Sequence, residues 1–173
     1  MILKKTSLSS PIEEKIAWAR HYYREFGDDL LKEKRLVDLL AHLKAAVLAS
    51  RKEMATTGIV EVCRRCEQEE GGSCCGVGLE NRYDGWLLLI NLLLGVKLSK
   101  TKQQTNSCFL LGKNGCLLMA RHVICINYLC KKITDLIDPR IIMELREKES
   151  EEVNTLFILH ENIKPVLRKW TST

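Results

Sequence analysis

The stretch CRRCEQEEGGSCCG, residues 63–76, decides how this chain is to be read. It holds Cys63, Cys66, Cys74 and Cys75, the last two adjacent. The other four cysteines are Cys108, Cys116, Cys125 and Cys130, so all eight fall between residues 63 and 130. Random placement does not concentrate a residue type in this way. The glycines at 71, 72, 76 and 78 suit a backbone that wraps closely around a bound group, and the stretch therefore predicts a cysteine loop over 63–76.

On either side the pattern is helical. Ser10-Pro11 reads as an N-cap followed by the first helical residue, with Glu13 completing a capping box. Ile12, Ile16, Ala19, Tyr23 and Phe26 then mark one face, Gly27 ends the helix, and Asp28 caps the next. Leu36, Leu40, Leu43, Val47, Ser50 and Met54 recur at spacings of four and three, the period of an amphipathic helix, which Gly58 closes. These two segments predict a helical hairpin. Asp84 caps a third helix over about 85–98. Asp138-Pro139 opens a last helical region with Ile142, Leu145, Leu156, Leu159, Ile163 and Leu167 on its apolar side, which Pro165 is expected to kink or split. A short β-like piece around Phe109–Leu111 is the one exception. The expected fold is mainly α. A helical hairpin (1–58) and a C-terminal helical segment (135–173) brace a central loop-rich cysteine domain (59–134).

Composition bounds the function. Hydrophobic residues at 46% and charged residues at 28% are those of a globular chain. The longest apolar run, WLLLINLLLGV at 86–96, is broken by Asn91 and Gly95 and falls short of the roughly 20 residues that span a bilayer, so no membrane is expected. The opening MILKKTSLSSPIEEK contains no apolar run of the kind a secretion signal carries. A cytoplasmic location follows as an expectation, and there clustered cysteines point to metal or redox chemistry rather than disulfides. The net charge of +5 is unevenly spread. Residues 85–134 contain no Asp or Glu but carry Lys97, Lys100, Lys102, Lys113, Arg121, Lys131 and Lys132, whereas 144–161 is a glutamate-rich helix. One reading is a solvated basic face. The other is that these cations favour thiolates in the cysteine cluster. With no aromatic platform and a small charge excess, the sequence argues against nucleic-acid binding.

Cys63-x2-Cys66 is a good half-site for zinc, but no second C-x2-C exists and Glu67, rather than a glycine, follows it. A [4Fe-4S] cluster accepts thiolates from distant loops at irregular spacing. Neither C-x2-C-x2-C nor C-x3-C-x2-C is present, so the pattern is neither an ordinary ferredoxin nor a radical enzyme core. The adjacent pair is expected to divide, one of Cys74 and Cys75 binding one centre and the other belonging to a second centre or to the core. His122 lies between cysteines and reads as a surface or core histidine before a ligand. His21, His42 and His160 read as ordinary residues of helices. Arg64, Arg65 and Arg121 are candidates to steer an anion to the cluster.

The order C-x2-C, then CC, then an Asp-capped helix, then CFLLGKNGC, then Arg and C-x4-C resembles the YkgJ-type cysteine-cluster family, described as a zinc- or iron-chelating domain. A related cysteine-rich domain occurs in flagellin lysine N-methylase. The resemblance covers about 60–132. It implies that Cys63, Cys66, Cys74, Cys75, Cys108, Cys116, Cys125 and Cys130 are metal ligands and that Arg121 is a cofactor-binding residue. The chain has Arg121-His122 where the family has Arg-Pro, and Leu117-Leu118 where it has an Ile-Tyr pair. The reading is a metal-binding protein holding a [4Fe-4S] cluster, with an electron-transfer or redox-sensing role and an unassigned redox or protein partner. The alternatives are a structural zinc-binding interaction module and a component of a protein-methylating system. No catalytic residue is assigned, and enzyme activity is left open.

Overall fold

The structure, a computed structural model, describes residues 6–70 and 74–171; residues 71–73 of the expected cysteine loop lie outside them. The chain is mainly helical. In order it forms α1 (Ile12–Leu30), α2 (Lys34–Thr56), α3 (Ile59–Glu70), a 3-10 turn (Leu79–Arg82), α4 (Gly85–Leu93), β1 (Leu111–Gly112), β2 (Gly115–Cys116), α5 (Val123–Asn127), α6 (Lys131–Leu136) and α7 (Pro139–Thr171). Among the described residues no helix is long and apolar enough to cross a membrane.

Four local expectations change. The first helix begins one residue later than predicted: Pro11 is extended, its carbonyl accepts from the Glu14 and Lys15 amides, and Ser10 Oγ instead accepts from the Ser7 amide at 3.3 Å. Gly27 does not stop α1, which continues to Leu30. A helical glycine costs only about 1 kcal/mol, and burying Leu30 completely outweighs that. Asp28 is therefore inside α1, and Glu33 takes the cap position of α2. Tyr22 rather than Tyr23 faces the core, where its ring stacks on Trp18 at 4.3 Å. Lastly, α7 runs through Pro165 without splitting. Pro165 is on the exposed side, where water can satisfy the Glu161 carbonyl that it leaves without a donor, while Leu159, Ile163 and Leu167 stay buried.

Both helices of the expected hairpin form, but each has its chief partner elsewhere: α1 lies on α4 and α2 on α7. Helix α4 is apolar on every face except at Asn91 and is accordingly buried. It is shorter than expected, ending before Gly95. Gly85, its first residue, allows α1 to approach; a Cβ there would sit 2.5 Å from the Trp18 ring. The main core draws on α1, α2, α4, the 108–120 segment and α7. A small separate cluster of Ile59, Val62, Ile133 and Leu145 joins α3, α6 and α7.

Candidate metal centre

The first two cysteines are not on a loop. Cys63 and Cys66 sit one turn apart on α3, which starts immediately after Gly58 (φ +81°) ends α2. A spacing of three puts both on one helix face. Cys74 and Cys75 follow near the 3-10 turn. Cys116 ends a two-residue hairpin in which Leu111 pairs with Cys116, and Gly115 supplies the φ of +104° that the turn requires. Cys125 lies on α5, and Cys130 caps α6.

Asn91 explains how this irregular region is held. The sequence marks it only as a break in an apolar run. In the structure its side chain is fully buried and makes four hydrogen bonds. Nδ2 donates to the Leu87 and Ala120 carbonyls, both at 2.9 Å; Oδ1 accepts from the Met119 and Ala120 amides at 2.9 and 3.0 Å. From the other side Arg51 Nη2 donates to the Leu118 carbonyl at 2.6 Å. The 118–120 segment is thus clamped between α4 and α2, which fixes the positions of Cys116 before it and Arg121 after it.

All eight predicted cysteines line one cavity of about 240 Å³, together with Arg121 and Tyr83. Within it they divide. The thiols that act on Cys74 are Cys130 and Cys66, whereas those that act on Cys108 are Cys116 and Cys75, and Cys125 acts on Cys116. The packing divides the same way: Cys75, Cys108, Cys116 and Cys125 belong to the main core, and Cys130 to the small cluster with α3. Cys75, Cys108, Cys116 and Cys125 thus form an inner set and Cys66, Cys74 and Cys130 an outer one, to which Cys63 is joined by its place one turn from Cys66 on α3. The adjacent pair divides between them at a bend in the chain, Cys74 beside Cys130 and Cys66, and Cys75 beside Cys108.

The donor set has the chemistry of a thiophilic site. Among the described residues, however, no three His, Cys, Asp or Glu side chains stand close enough to share one metal ion. The thiols ring a space rather than converge on a point. That space is far larger than the roughly 10–15 Å³ a single water requires.

Burial pushes the Cys108 thiol up to about 12, although the Leu110 amide donates to its sulfur at 3.5 Å. Burial also raises Cys116 and Cys74. Arg121 and Arg51 oppose the rise only at Cys116, and Lys132 Nζ approaches Cys66 Sγ at 3.9 Å. Lys97, Lys100, Lys113 and Lys131 are exposed. At Cys74, Cys108 and Cys116 burial is the largest influence on the thiol, and arginines act against it at Cys116.

Arg121 is reached instead by the glutamate-rich helix, which is not remote. Glu149 and Glu152 of α7 are buried, and Glu152 Oε2 lies 3.9 Å from Arg121 Nη2. Glu152 also accepts from Ser50 Oγ, and Arg146 Nη1 donates to Glu149. Burial raises the Glu149 carboxyl. Arg121 Nε and Nη2 are buried without a hydrogen-bond partner among the described residues. Arg64 and Arg65 both turn to Glu61, at 2.7 and 3.9 Å. Tyr83, fully buried and unremarked in the sequence, donates its hydroxyl to Cys125 Sγ at 3.6 Å and accepts from the His122 amide at 3.1 Å. His122 itself caps α5, Nδ1 accepting from the Ile124 amide. His160, which the sequence placed among ordinary helical residues, bonds Asp84 Oδ2 through Nε2 at 2.9 Å.

Compared with family models, with curated proteins and with solved structures, the chain matches none.

Proposed function

We propose that the chain is a metal-binding protein that holds an iron–sulfur cluster through its cysteines and serves electron transfer or redox sensing. One observation carries the reading: eight cysteines, delivered by five separate parts of the chain, line a single cavity of about 240 Å³. Thiols that ring a volume suit a group of several atoms better than one ion, because an ion needs its donors to converge. When bound, such a cluster supplies one-electron chemistry.

The protein's own residues have definable parts. Cys75, Cys108, Cys116 and Cys125 are the donors built on the main core. Tyr83 gives Cys125 a hydrogen bond, and the Leu110 amide gives one to Cys108; hydrogen bonds to ligand sulfurs tune such centres. Arg121 presents buried N–H groups at the cavity wall. The resemblance to the YkgJ-type pattern supports a metal site in the same residues.

A structural zinc module is the second reading. The division of the thiols into two sets of four favours it, since four is the number a tetrahedral zinc takes. Purification without air, followed by iron, acid-labile sulfide and zinc analysis with visible and EPR spectra, separates the two. Iron with equimolar sulfide is expected. A colourless protein with one or two zinc ions per chain would hand the case to the zinc module.

A further inference from the structure

A second cavity, of about 840 Å³, lies beside the cysteines. That is within the roughly 300–1,000 Å³ of small-molecule sites. Leu87, Val123, Ile124, Val153, Leu156 and Phe157 form its walls. Leu8 edges it, its carbonyl held by buried Lys15 Nζ at 2.8 Å. Phe157 is 66% exposed and Ile124 43%, more apolar surface than these positions need for folding alone.

The polar groups of this groove have a sign. Both Asp84 oxygens are engaged: Oδ1 accepts from the Leu87 amide at 2.8 Å and Oδ2 from His160 at 2.9 Å. Both His160 nitrogens face carboxylates, Asp84 and Glu161, and Glu161 in turn is held by Lys164 at 2.6 Å. His122 Nδ1 is an acceptor for the Ile124 amide, which leaves Nε2 as its N–H. Arg82, also on the wall, has no acidic partner among the described residues. What the groove has free to offer is therefore hydrogen-bond donors, His122 Nε2 and the exposed Arg82 guanidinium, while the Asp84 carboxylate on the same wall is occupied by the Leu87 amide and His160.

We infer that this groove binds a small apolar molecule bearing one carboxylate, with the carboxylate on Arg82 and the hydrocarbon along Val123, Val153 and Phe157. A planar carboxylate matches the guanidinium fork, and the walls supply the apolar burial. The site does not depend on what the cysteines hold. It adjoins them, because Tyr83 lines the cysteine cavity while its neighbours Arg82 and Asp84 line the groove.

The test is calorimetric titration of the whole protein with decanoate, decanol and decylamine, on the wild type, Arg82→Ala and Val153→Trp. Decanoate is expected to bind once per chain, about tenfold more tightly than decanol or decylamine, the difference that one charge-assisted hydrogen bond makes. Arg82→Ala should bring decanoate down to the level of decanol and leave decanol unchanged. Val153→Trp should abolish binding of both. If Val153→Trp fails to fold by circular dichroism, Arg82→Ala, an exposed position, decides alone. Equal binding of the three probes, no binding of decanoate, or decanoate binding indifferent to Arg82→Ala overturns the proposal. So does sedimentation showing a dimer whose formation Phe157→Ser abolishes, since a second copy would then occupy the groove.

Discussion

Asn91 is the clearest case of a single side chain organising what surrounds it. It satisfies the backbone of the 118–120 segment inside an otherwise apolar environment. Asn91→Leu keeps the volume but strands two amides and a carbonyl, each at about 1–3 kcal/mol. A loss of about 3 kcal/mol or more is expected, read as a lower denaturant midpoint. His160 and Asp84 give a pH signature. Hydrogen bonding to Asp84 raises His160 above its ordinary 6.5, so its contribution is complete below that value and is lost as pH rises through the raised one. Despite opposing burial, hydrogen bonds from His160 and the Leu87 amide hold Asp84 below its ordinary 3.8, so its contribution is present above 3.8 and is lost as pH falls through the lowered value. The stability lost in His160→Ala should thus be largest between about pH 4 and 6.5 and shrink on either side in thermal melts. A flat difference across pH would refute the pairing.

At the scale of elements, α4 and α7 show how packing overrides local preference. Gly85 is required because α1 crosses α4 there: a Cβ would meet Trp18. Gly85→Ala is expected to lose about 1–3 kcal/mol, as overpacked positions do, measured by chemical denaturation. Pro165 is the opposite case. It sits on an exposed face of the unbroken α7, where its ring removes one backbone hydrogen bond. Pro165→Ala should restore a helical hydrogen bond and stabilise by up to about 3 kcal/mol. A destabilised variant would show that the proline is positioning the last turns of α7.

For the molecule as a whole, the two thiol sets stand on unequal foundations. The inner set belongs to the core shared by α1, α2, α4 and α7; the outer set rests on the four-residue cluster under α3 and α6. Local opening follows the extent of buried apolar packing. In chelator-treated protein, α3 and α6 should exchange their amide hydrogens well before α2, α4 and α7, and metal should slow α3 and α6 most. Uniform protection across all helices would contradict that division. If the sets hold separate centres, Cys74→Ala and Cys75→Ala should each lose about half of the bound metal, and the double variant nearly all of it.

The mainly helical fold was legible from the periodicity of 36–54 and 145–167, the Asp84 and Asp138 caps and the apolar run at 86–96, because these signals depend on neighbours three and four residues away. So was the concentration of the cysteines between residues 63 and 130. The sequence could not pair α1 with α4 or α2 with α7, since helix partners are chosen by whole apolar faces and their fit. Nor could it show that Cys63 and Cys66 ride on a helix, that Cys74 and Cys75 face different sets, or that Glu149 and Glu152 lie under Arg121. Those outcomes depend on groups up to a hundred residues apart sharing one desolvated space. Burial there raises Cys116 and Glu149 against the nearby arginines, a balance that only the tertiary structure decides.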